Sequence, residues 1–98
     1  MTTQPQPRWR LPQDFSVALH SWGDETVAYH DGAGDTHLLG PVEAAALRAL
    51  RHGPDDLDGL TRQVAAALDL APDAALAAHM AALVQEFHKL GLVEPDPR

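Results

Sequence analysis

The chain contains no cysteine. That excludes disulfides, thiolate zinc sites and thiol nucleophiles, and it fits a reducing cytoplasm. Aromatic residues are few, two tryptophans, one tyrosine and two phenylalanines, and their placement forms no cofactor box. Positive charge is also short. Seven Lys and Arg stand against fourteen Asp and Glu, giving a formal net charge of −7, and only one of the seven is a lysine, Lys89. DNA, RNA and anionic lipid are therefore poor partners, because affinity for them rests on clustered cations. No stretch approaches the roughly 20 apolar residues that span a bilayer. The opening MTTQPQPRWRLP lacks the apolar segment of a secretory signal, so a cytoplasmic protein is expected. No Gly-x-Ser-x-Gly elbow, Walker loop or dinucleotide glycine pattern appears. The stretch Asp31-Gly-Ala-Gly-Asp35 is rich in glycine, but its acids would repel a phosphate rather than cradle it.

What is present is the pattern of one small domain. A chain of 98 residues buries only about 60–65% of its unfolded surface, so the core is modest. Trp22–Leu39 reads as a β-hairpin. Val27 and Tyr29 alternate with Thr26, Ala28 and His30, Asp31–Asp35 carries turn chemistry, and Thr36–Leu39 returns. Asp14–His20 alternates in the same way and reads as a preceding strand. Residues 1–8 read as a disordered tail and 9–95 as the domain, with Trp9 anchoring an extended segment over Arg8–Leu11. Pro41 opens a first helix that Gly53-Pro54 stops. Leu57, Leu60, Val64 and Leu68 define one face of a second helix, with Asp56 as its N-cap. Leu76, Met80, Leu83, Phe87 and Leu90 define a third, over Ala74–Leu90, that Gly91 ends; Leu92-Val93-Glu94 reads as a further extended piece. Helices two and three have helix-turn-helix spacing. The fold class that results is α+β and winged-helix-like, three short antiparallel strands followed by three helices.

Catalysis is not indicated. Six histidines raise the question of a metal, but His79 and His88 lie nine residues apart on the third helix. That is about 900° of rotation, which places them on opposite faces. His30, Asp31, Asp35 and His37 gather around the hairpin turn; a weak divalent site across the strands is the alternative there, and surface turn chemistry is the favoured reading. No catalytic residue, metal or cofactor is expected. DNA reading by the third helix is disfavoured as well. Its only fixed cation is Lys89, Glu86 offsets it, and Gln85 alone suits base contact.

A protein-interaction module is the reading that fits these constraints. Beside its core line, the third helix carries Ala77, Ala81 and Val84 on an adjoining strip, with His88 at the end. The strip either packs against the first helix or lines a groove. If Asp35–Leu39 is a sheet edge beside that helix, the geometry suits β-augmentation. An added peptide strand would bond through its main chain and send alternate side chains into the groove.

Trp9-Arg-Leu11, the hairpin ending Gly34-Asp-Thr-His-Leu-Leu39, the leucine spacing of helix two and the ending Leu90-Gly-Leu-Val-Glu-Pro95 together resemble the PqqD-like peptide chaperones, or RiPP recognition elements. The branch they most resemble is associated with HPr-kinase-related A systems. The resemblance covers about residues 8–95. It implies a non-catalytic domain that binds the leader segment of a ribosomally made precursor peptide and presents it to a modifying enzyme or kinase-like neighbour. It also implies the site, with the leader pairing along Asp35, Thr36, His37, Leu38 and Leu39. Groove side chains are then drawn from Met80, Ala81, Val84, Phe87 and His88. A monomer or weak dimer is expected, since strand edges also pair with each other. The competing reading is a winged-helix scaffold or regulator acting through protein contacts.

Overall fold

A computed structural model describes residues 7–12, 17–22, 25–30 and 35–97. The hairpin turn, the start of the expected first strand and most of the expected N-terminal tail lie outside them. The described chain is α+β, with six strands in two antiparallel sheets and three helices. In chain order these are β1 (Arg8–Arg10), β2 (Val17–Trp22), β3 (Glu25–His30), β4 (Asp35–Leu39), α1 (Pro41–Leu50), β5 (Asp55–Asp56), α2 (Leu57–Leu68), α3 (Ala74–Lys89) and β6 (Glu94–Asp96).

The expected hairpin is the β3–β4 pair, with Thr26 opposite Leu39 and Ala28 opposite His37. β2 adds on the far side of β3, giving the order β2-β3-β4. The inward face carries half-buried Leu19 and His37 and buried Thr26, Ala28 and Leu39. Val27 and Tyr29, the larger members of the alternation, turn outward. α1 explains this choice. It packs on β3 and β4 and buries Ala44, Ala45, Ala46 and Ala49 together with Leu47 and Leu50. A helix with this much alanine can lie close to the central strand, where the residues beneath it, Thr26 and Ala28, are small. Arg48 ties the two layers by donating to Ser21 Oγ at 2.6 Å and Thr26 Oγ1 at 3.2 Å.

The second sheet joins distant parts of the chain, in the order β5-β1-β6. Arg8 therefore belongs to a strand rather than to a tail, and it donates to the Pro54 carbonyl at 2.8 Å. Trp9 is buried between Arg8 and Arg10 in the alternation of β1. Arg10 pairs with Glu94 at 2.6 Å and with Asp96 at 3.5 Å, clamping β1 to β6. The last strand begins at Glu94, two residues later than the sequence suggests, because Leu92 and Val93 are core residues with almost no exposure.

Both later helices begin on aspartate caps, Asp56 as expected and Asp73 where the sequence suggested only a break. The Asp56 carboxylate accepts from Gly59 N at 2.7 Å, and Asp73 accepts from Leu76 N at 2.9 Å. α2 ends on Asp69 in the left-handed region, with Leu70 N bonded to Ala65 O at 2.8 Å. α3 ends with Gly91 at φ 76° and Leu92 N bonded to Phe87 O at 2.9 Å. The core is continuous, from Trp9 through Leu47, Leu60 and Val64 to Met80, Val84, Leu92 and Val93.

Candidate functional site: the β4 edge and the α1–α3 cleft

β4 lies at one edge of its sheet. Among the described residues no strand pairs with its outer side. Half of its main-chain N–H and C=O groups therefore point away from β3, a template for an added strand. Side chains alternate along it. Thr36 and Leu38 face outward, Leu38 being 70% exposed, while His37 is half-buried and Leu39 buried on the α1 side. Asp35 opens the strand opposite His30. The His37 Nε2 atom is buried without a hydrogen-bond partner among the described residues.

The expected groove residues of α3 divide between the interior and two surfaces. Met80 is wholly buried, and Val84 nearly so; both belong to the core and offer almost no surface to a ligand. Ala81 and Val84 face β1 and the start of α2, lining a hollow of about 180 Å³ with Pro7, Trp9, Leu57 and Gln85. The His88 ring meets the Trp9 ring edge-on, 5.4 Å between centroids and 63° between planes. The Ala81–Val84–His88 strip thus lies against β1, neither packed on α1 nor gathered in one groove beside β4. Ala77 is exposed.

Phe87 lies on the other flank of α3. With His79, Ala82, Leu83, Glu86 and Glu43 it lines a cleft of about 360 Å³ between α3 and the first turn of α1. His79 and His88 therefore occupy different sides of the helix, as their spacing requires. The cleft adjoins the end of β4 through a short connection. Gly40 follows Leu39 in extended conformation, Pro41 takes the first helical position, and Glu43 lies in the first turn. A Cβ placed on Gly40 would stand 2.6 Å from a Glu43 carboxylate oxygen, so that carboxylate lies over Gly40. Sequence reasoning did not find Glu43, His79, Ala82, Leu83 and Glu86 as a set. Four of the five share one face of α3 at spacings of three and four, a legible stripe. That α1 stands opposite it is a tertiary fact.

Among the described residues no group of three potential ligands could hold a metal ion. No helix there is long and apolar enough to cross a membrane. Half of the exposed residues of α3 are alanine, with Ala74, Ala75, Ala77, Ala78 and Ala82 at the surface. Four of the arginines are occupied elsewhere, Arg8 on Pro54, Arg10 on Glu94 and Asp96, Arg48 on Ser21 and Thr26, and Arg62 on Asp58 at 2.6 Å.

No protein-family model, curated protein or solved structure matches the chain.

Proposed function

We propose that this protein is a non-catalytic peptide-binding module that takes an extended segment of a precursor peptide along the free edge of β4 and presents it to a modifying enzyme. The observation that carries the reading is the edge itself. β4 is a terminal strand of the β2-β3-β4 sheet, held from behind by α1, with Thr36 and Leu38 outside and the α1–α3 cleft beside its C-terminal end. A strand edge already formed in this way supplies main-chain hydrogen bonds to an added strand, while adjacent pockets supply side-chain preference. The resemblance to PqqD-like chaperones supports the leader segment of a ribosomally made peptide as the ligand. The acidic composition and the alanine surface of α3 argue against a helix-turn-helix that reads DNA.

A scaffold role has one observation of its own. The outward face of the same sheet exposes Trp22 by 53%, Tyr29 by 42% and Leu38 by 70%, and the His20 and Trp22 rings meet on it in a tilted pair, 4.1 Å between centroids and 47° between planes. Such a face suits contact with another protein.

Synthetic peptides with single backbone N-methyl groups separate the two readings. Each methyl removes one donor, and in a paired strand only every second donor faces the partner. For β-augmentation, methylation at one parity weakens binding about ten-fold or more per site, and the other parity is neutral. Equal tolerance at both parities favours the scaffold.

A further inference from the structure

The α1–α3 cleft joins apolar surface to uncompensated negative charge. Leu83 and Phe87, both largely buried, form its floor, and exposed Ala82 leaves it open. Glu43 from α1 and Glu86 from α3 stand on either side. Among the described residues neither carboxylate is in an ion pair, and no arginine or lysine lines the cleft. Among the described residues that line it, His79 is the only other titratable group. Glu43 reaches back over Gly40, so one of the two charges sits at the end of β4.

We propose that this cleft sets the specificity of the peptide site by selecting an extended segment that carries a Lys or Arg and an apolar residue two positions away. This rests on the peptide-binding reading. In an extended strand, side chains two apart share one side. One cationic head is placed between Glu43 and Glu86, and one apolar side chain lies over Leu83 and Phe87. Glu43 is half-buried, and a carboxylate there makes a stronger charge-assisted hydrogen bond than one in open solvent, while exposed Glu86 adds its charge from the opposite side. The occupant is thereby a basic, amphipathic peptide strand, complementary to the −7 charge of the chain.

The test is selection of a displayed library of random ten-residue peptides on the full chain. Enriched peptides are then titrated into the labelled wild-type protein, the E43Q/E86Q variant and an E25Q/D58N variant. The last removes the same amount of charge from exposed positions outside the cleft. Circular dichroism checks each fold, and E86Q alone, on the exposed side of α3, serves if the double variant is unfolded. The expected result is enrichment of Lys or Arg paired at two positions with Leu, Ile or Phe. Affinity should fall at least ten-fold in E43Q/E86Q and less than three-fold in E25Q/D58N. Peptides that shift the β4 amides but show no basic preference, or that lose affinity equally in both variants, overturn the inference and leave the peptide reading standing. Failure to enrich any peptide, or shifts that avoid β4, overturns both.

Discussion

At the scale of single residues, the helix ends carry sharp expectations. Asp73 supplies the side-chain acceptor for Leu76 N at the start of α3, so Asp73→Ala should lower stability by about 1 kcal/mol in denaturant titration. Asp69 does the opposite kind of work. It is the one described non-glycine residue with positive φ, 55°, at the end of α2. A side chain there costs free energy that glycine does not, so Asp69→Gly should raise stability by about 0.5 kcal/mol with no change in peptide binding. Both aspartates sit at helix borders that composition and pattern already mark. The sequence does not show that Asp69 continues the turn into the left-handed region. That depends on Leu70 N reaching Ala65 O.

At the scale of elements, legibility follows the range of the interaction that forms each one. α2 was readable residue for residue, Leu57–Leu68, because a cap and a periodic stripe are local. β5 was not, since two aspartates beside a proline have no strand signature. They are ordered by pairing with Arg8 and Trp9, nearly fifty residues away. The strand β3 shows an intermediate case. Its alternation was visible, but alternation has two faces and does not say which is buried. The alanines of α1 decide it by admitting only Thr26 and Ala28 beneath them. Ala28→Leu should therefore destabilise by about 1–3 kcal/mol through overpacking, whereas Tyr29→Ser, on the outer face, should cost under about 1 kcal/mol. Thermal unfolding of the two variants distinguishes this assignment from the reverse. For the site, the strand Asp35–Leu39 was legible and its edge position is seen in the sheet order. The side chains facing it on α3 were not legible, because a helix stripe does not name the neighbour it faces. Met80 and Val84 went to the core, and Ala81 and His88 to the β1 side.

At the scale of the whole molecule, the two sheets do different work. β1 and β6 bring distant ends of the domain together through Trp9 and the Arg10–Glu94 pair. Trp9→Ala should cost about 3–5 kcal/mol, enough to threaten a small domain, while Arg10→Met should cost about 1 kcal/mol. The β2-β3-β4 sheet instead leaves both outer edges without a strand partner among the described residues and one face exposed, and the account depends on the β4 edge being used. The measurement that tests it most directly is an NMR titration of the labelled protein with candidate leader peptides encoded near its gene. The account predicts saturable shifts concentrated on the amides of Asp35–Leu39, with further shifts at Glu43 and along His79–Phe87, and cross-strand contacts between peptide and β4. Saturable binding that leaves the β4 amides unmoved, or no binding by any such peptide, would contradict it.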